Sequence, residues 1–156
     1  MKRWIWYLAA LLCVAILGWM PFHGTDVAEL QPVELLRVSV RQGYVLVETD
    51  TGDFGIGNSP ESAFADLMKS TPGDVFLETA DHLILAPEAV MLLPELMEYL
   101  RPACNLCVEQ GEADLEKATA FLNAHQPEVT LQDHRAGEER LPVLVTEEGR
   151  MYLVQS

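Results

Sequence analysis

Residues 48–62 run ETDTGDFGIGNSPES, and the fold class turns on how this stretch divides. Three chemical words overlap in it. Asp50-Thr51-Gly52 spells the DTG of aspartic proteases, Asp53-Phe54-Gly55 the DFG of protein kinases, and Gly55-Ile56-Gly57 begins like a nucleotide-binding glycine loop. Each fails on its surroundings. The protease triplet follows apolar residues and needs a second carboxylate to share a proton; here Glu48 and Thr49 precede it and no second copy exists. The kinase triplet lacks its catalytic loop and its lysine strand. The glycines lack both the G-x-G-x-x-G spacing and the Walker lysine. What remains is local structure. Asp and Gly suit a tight turn, and residues 53–57 make a short strand. Ser59-Pro60-Glu61 is a helix start, with a capping hydroxyl, a proline at the first helical position and an acid at the positive end of the dipole. Glu48, Asp50 and Asp53 form an acidic turn without the ligand order of an EF-hand.

Outward from this stretch the pattern alternates strands and helices. Upstream, VELLRVSV (33–40) and YVLVET (44–49) are rich in β-branched and aromatic residues and flank Arg41-Gln42-Gly43, which predicts a β-hairpin. Downstream, the helix from Pro60 extends to about Lys69, with Phe64, Leu67 and Met68 on one face, and Thr71-Pro72-Gly73 stops it. DVFLET (74–79) and HLILA (82–86) are strand material. PEAVMLLPELMEYLR (87–101) is helical, and Pro94 predicts a break near Leu93, since a proline in a helix interior costs about 3 kcal/mol. NLCVEQ (105–110) reads as a strand, EADLEKATAFLNAH (112–125) as a third helix, and LPVLVTEEGRMYLVQ (141–155) as a hairpin turning at Glu147-Glu148-Gly149. The expected fold is α/β (α+β): a mixed sheet with about three helices packed on it.

The N-terminus is of another kind. From Trp4 to Phe22 there are 19 residues without a charge, close to the ~20 that span a bilayer as a helix. Lys2 and Arg3 precede this segment and the next basic residue is Arg37, so the positive-inside rule places the N-terminus in the cytoplasm and the rest outside. Trp4, Trp6, Tyr7, Trp19 and Phe22 stand near its ends, where aromatic rings favour the interface. A cleaved signal peptide is the alternative, but a cut after Gly24 would put Phe22 where a small residue is wanted. Cys13 follows Leu12 and lies mid-segment, which does not suit a lipid-attachment site. The expected organisation is an anchor over 1–22, a tether over 23–32 and one extracytoplasmic domain over 33–156. Beyond the anchor, eight basic residues face 24 acids, a net charge of −16. Such a surface repels nucleic acid. The expected partners are membrane lipid, through residues 4–22, and other envelope proteins.

Candidate chemistry in the domain is thin. Cys104 and Cys107 are spaced C-x-x-C, but a thioredoxin-type pair stands at a helix N-terminus. Here Pro102 and Ala103 precede the pair and a strand pattern runs on from it. Residues i and i+3 of a strand point to opposite faces, so the expectation is two small buried residues, with a disulfide, redox or metal role as the alternatives. A structural zinc wants four ligands, and His82, His125 and His134 show no ligand spacing. Ser59 follows Gly57-Asn58, but Glu61 stands where a nucleophile elbow has its second glycine, so it reads as a cap.

The order of these features resembles the N-terminal domain of the Ger(x)C family, the membrane-attached C-subunits of spore germination receptors. Gly57, Ser59, Ser62, Ala63 and Phe64 match the family's glycine, polar cap and Glu-Ala-Phe-like helix start. Val75-Phe76-Leu77, and Leu83-Ile84-Leu85-Ala86 running into Pro87-Glu88-Ala89, match its strand and strand-to-helix passages, and Tyr99 to Pro102 its helix end. The resemblance covers about residues 29–125. It implies an extracytoplasmic α/β module without enzyme activity, working in the envelope of the spore or sporulating cell. The expectation is therefore a non-catalytic interaction module with no catalytic, cofactor-binding or metal-binding residue. The alternative is an envelope thiol-redox or hydrolytic enzyme using Cys104 and Cys107 or Asp50.

Overall fold

The computed structural model describes residues 30–72, 74–137 and 140–155, together with Leu12. Among these no helix is long and apolar enough to cross a membrane. The proposed anchor over 1–22 lies outside the described residues, Leu12 excepted.

Four strands of the main sheet arise as expected from β-branched runs: β2 (Leu35–Arg41), β3 (Tyr44–Thr49), β6 (His82–Leu85) and β7 (Asn105–Gln110). With β4 (Phe54–Gly57), β8 (Val143–Glu147) and β9 (Arg150–Val154) they form a seven-stranded sheet of order β4-β3-β2-β6-β7-β8-β9. The central four, β2, β6, β7 and β8, are parallel. Antiparallel hairpins flank them on both sides. Both tight hairpins have two-residue loops whose residues all carry positive φ: Gln42 (54°) and Gly43 (83°), and Glu148 (49°) and Gly149 (77°). This is the turn whose twist matches that of the strands, and glycine supplies its second position without strain.

The remaining strands are β1 (Leu30–Pro32) and β5 (Asp74–Phe76), which form a separate parallel pair. The end of the expected tether is thus strand, and the expected strand over 74–79 is cut short, with Leu77–Thr79 a 3-10 turn. Thr79 explains the change: its hydroxyl lies 2.7 Å from the Phe76 carbonyl and within hydrogen-bond reach of both Val33 N and Val33 O, closing the turn against the chain before β2.

The helices are α1 (Pro60–Ser70), α2 (Leu93–Leu96), α3 (Leu115–Ala124) and α4 (Leu131–Arg135). Ser59 caps α1, with a reciprocal bond from Ser59 N to Ser62 Oγ, a device worth about 1 kcal/mol. Met68 departs from expectation. It is exposed, and Ala63, Phe64 and Leu67 make the buried face. The segment 87–101 is not one α-helix. Pro87–Leu92 is 3-10, and Pro94 stands in the first turn of the four-residue α2. α4 has no counterpart among the expected helices; a Thr130/Asp133 capping box starts it.

These elements cover the sheet unequally. On its first face Leu36, Val38, Val45, Val47, Leu83, Leu85 and Leu106 meet α1, α2 and the segment around them in one core. Phe64 of α1 stacks on Tyr99 beyond α2, with ring centroids 4.7 Å apart. On the second face Leu35, Ile84, Cys107 and Leu144 pack under α3, through Ala118 and Leu122. One ten-residue helix, about 15 Å long, cannot cover seven strands. β4 is one edge of the sheet, and α1 seals it from outside: Ile56 N donates to Asp66 Oδ2 (3.0 Å), and Ser70 Oγ donates to Phe54 O (3.1 Å). β9 is the other edge and carries no side-chain cap among the described residues.

Candidate functional site

Asp50 stands in a turn after β3, as the sequence indicates. Its amide donates to Leu35 O (3.1 Å), its Oδ1 accepts from Glu34 N (3.3 Å), and Gly52 N closes the turn on Thr49 O (3.1 Å). It also lines an acidic cavity of about 250 Å3 with Glu34, Glu116, Thr119, Ala120 and Asn123. Burial raises the Asp50 carboxyl above its ordinary range; hydrogen bonds from the backbone oppose this, and the charge of Glu34 adds to it. Behind the cavity His82 is fully buried. Its Nε2 meets Asn123 Oδ1 at 3.0 Å, and Asn123 Nδ2 donates to Glu34 Oε2 at 3.0 Å. Burial lowers the pKa of His82 against the opposing Asn123 bond and Glu34 charge, and this favours the neutral ring. An amide oxygen only accepts, so the proton sits on Nε2 and Nδ1 is an unpartnered acceptor. Among the described residues no group of three or more His, Cys, Asp or Glu side chains is placed to hold a metal ion.

A carboxyl that is harder to ionise in the fold than in the unfolded chain costs stability as pH rises through its folded pKa. Asp50→Asn keeps the accepting oxygen and removes that cost. Its expected melting temperature at neutral pH equals or exceeds the parent's, while in acid the two converge; a differential-scanning comparison at both pH values checks this.

The two cysteines do not meet. Cys107 lies in β7 and belongs to the second-face core, whereas Cys104 directly precedes the strand and belongs to the first-face core. The sheet stands between two free, fully buried thiols. Burial pushes each up to about 12, so neither supplies the thiolate that exchange chemistry requires. Neither is expected to react with Ellman's reagent in the folded protein, and both are expected to react once urea unfolds it. Rapid labelling of either in the native state would contradict the placement. Ser59 is occupied as a cap, and His125 closes α3 by stacking on Phe121 and meeting its carbonyl through Nδ1 (3.2 Å).

One charged assembly was not visible in the sequence. Arg37, 5% exposed, projects from β2 onto the second face. Its Nε and Nη2 donate to Glu48 Oε2 on β3 (2.9 and 2.6 Å), and its Nη1 donates to Ala113 O (3.1 Å). Glu109 of β7 lies 3.9 Å away and Glu112 3.8 Å, and Arg41 reaches Glu112 at 3.3 Å. The Glu109 distance is too long for a hydrogen bond, and its Oε2 is buried without one. Burial raises the Glu109 pKa, Arg37 opposes, and neighbouring carboxylates add to the rise. Cross-strand register, not sequence spacing, assembles this group. It ties β2, β3 and β7 to the loop before α3.

Beside it the second face is bare. Gly55 and Gly57 turn toward α1, so Phe54 and Ile56 point the other way, beside Glu48 and Leu46 of β3. Tyr44, Phe54 and Ile56 are 56%, 55% and 47% exposed. With the half-buried Leu46 they form an apolar patch over β3 and β4 that no helix of the described residues covers. Comparison of the chain with protein-family models, with curated proteins and with solved structures finds no match.

Proposed function

We propose that the chain is a single-pass membrane protein whose extracytoplasmic α/β domain works by binding other envelope proteins, in the sporulation or germination setting that the Ger(x)C resemblance implies. The observation that carries the binding role is the bare patch of Tyr44, Leu46, Phe54 and Ile56 on one face of the sheet. Exposed aromatic and aliphatic side chains side by side, rimmed by Glu48, Arg41 and Asp53, are what a protein interface presents. The separated, protonated cysteines support binding over thiol chemistry.

The test is a photo-crosslinking residue at Ile56 of the full chain in its native cells, with Lys117, on the exposed side of α3, as control position. A partner band is expected at Ile56 and not at Lys117. The pair Phe54→Ser and Ile56→Ser is expected to abolish that partner's co-purification without lowering the melting temperature. Equal labelling at both positions, or co-purification untouched by the pair, would remove the patch from the interface.

A further inference from the structure

A second cavity, of about 390 Å3, opens between the turn after α2 and the helix α4; Met97, Leu100, Pro102, Leu131, Gln132 and Arg135 line it. This is within the size range of small-molecule sites. Leu100 and Leu131 belong to the first-face core and are 6% and 2% exposed, so they form its floor. Gln132 and Arg135, both exposed, form its rim. The walls are tied together by Leu131 N donating to Cys104 O and Gln132 N to Pro102 O, each at 2.9 Å. The cavity is therefore preformed, which spares a ligand the cost of ordering it.

Its electrostatics run against the rest of the molecule. The chain has 24 acids and ten Lys and Arg residues, yet among the described residues the lining holds one cation and no acid. Arg135 makes no ion pair with any described residue. The acid nearest it along α4, Asp133, is already engaged: its Oδ2 accepts from Thr130 N (2.9 Å) and Thr130 Oγ1 (2.6 Å). With respect to the described residues the guanidinium fork is open to a planar oxyanion, and the Gln132 amide offers a further donor.

We propose that this cavity binds a small apolar monocarboxylate, its body against Met97, Leu100, Pro102 and Leu131 and its carboxylate on Arg135. The site is separate from the β3–β4 patch and does not depend on that patch being an interface. The overall negative charge does not forbid an anion, because fields beyond about 8 Å are screened at physiological salt, while the guanidinium acts at contact.

The full chain, in phosphatidylcholine nanodiscs with methyl-labelled Leu and Met, is titrated with 4-phenylbutyrate and with the uncharged 4-phenylbutanol. Saturable shifts are expected at the Met97, Leu100 and Leu131 methyls with the acid. The alcohol is expected to bind roughly tenfold more weakly, the scale of one charge-assisted pair. Arg135→Gln is expected to bring the acid down to the alcohol, and Met97→Trp, which fills the cavity, to remove both. Equal affinity for acid and alcohol, an unchanged affinity in Arg135→Gln, shifts that survive Met97→Trp, or no saturation by about 10 mM would each overturn the proposal.

Discussion

Gly55→Val is expected to cost about 3 kcal/mol or more, the upper range for overpacking. A Cβ at this position would fall inside contact distance of the Ala63 carbonyl oxygen and the Leu67 amide nitrogen, and 2.8 Å from Leu67 Cα. All three are backbone atoms of α1, so no side chain can swing aside. The helix must lift from the sheet, and Ala63, Phe64 and Leu67 leave the core together. The damage extends beyond packing, because Asp66 and Ser70, which seal the outer edge of β4, ride on the same helix. Urea denaturation should show the loss as a lowered midpoint, with aggregation near the transition. Ile56→Ala, next in the strand but facing solvent, should change the midpoint little. A Gly55→Val protein with the parent's midpoint would mean that α1 does not pack where the structure places it.

Arg37→Leu is expected to cost about 3–5 kcal/mol at neutral pH, the scale of breaking a buried ion pair from one side. The variant strands Glu48 and Glu109, whose side chains are 23% and 12% exposed, without their cation. Its pH dependence carries the sharper test. Glu109 has its pKa raised by burial, with Arg37 the opposing influence. A raised folded pKa means that the protonated carboxyl is the better tolerated form, so its contribution to stability falls as pH climbs from the unfolded pKa through the folded one. Without Arg37 that penalty grows. The deficit of Arg37→Leu should therefore be largest at neutral pH and shrink as acid puts a proton on Glu109. Adding Glu109→Gln should recover part of the loss at neutral pH and little in acid, where Glu109 is already protonated. Denaturation curves of the single and double variants at both pH values decide it, and a deficit independent of pH would place the energy elsewhere than in Glu109.

What the sequence disclosed was what local chemistry dictates. The run 105–110 is a strand because Leu106, Cys107 and Val108 fit a buried parallel position, and β7 has those limits. Ser59-Pro60 starts a helix because both residues satisfy its first turn, and Pro94 opens a new helical piece because it cannot stand inside the old one. Features built from distant partners were not legible. β1 is three residues long and is a strand only because it pairs with β5, which falls inside the strand expected over 74–79. The Met68 error came from periodicity: spacing marks a stripe but not how wide the sheet beneath it is, and α1 lies on the outermost strand. For α4 a local signal did exist, the Thr130/Asp133 capping box, but the helix after it is too short to show a period. The Arg37 group required the pairing of Arg37 with Glu48 and the parallel order of β2, β6 and β7. Likewise Asp50 was correctly placed in a turn, while the cavity it shares with Glu34 and Glu116 depends on where α3 lies.

The unequal treatment of the sheet's two borders sets a limit on how this protein can polymerise. With the outward amide of Ile56 and the outward carbonyl of Phe54 already taken by Asp66 and Ser70, β4 cannot receive a strand from another molecule. The head-to-tail joint, β4 of one copy on β9 of the next, is closed, and with it the route by which sheets lengthen into fibres. Of the seven-stranded sheet's two borders, β9 alone is uncapped among the described residues, and two copies meeting there would exhaust each other's free edge. Such an encounter ends in a two-fold pair, so through these two borders the seven-stranded sheet can dimerise but not propagate.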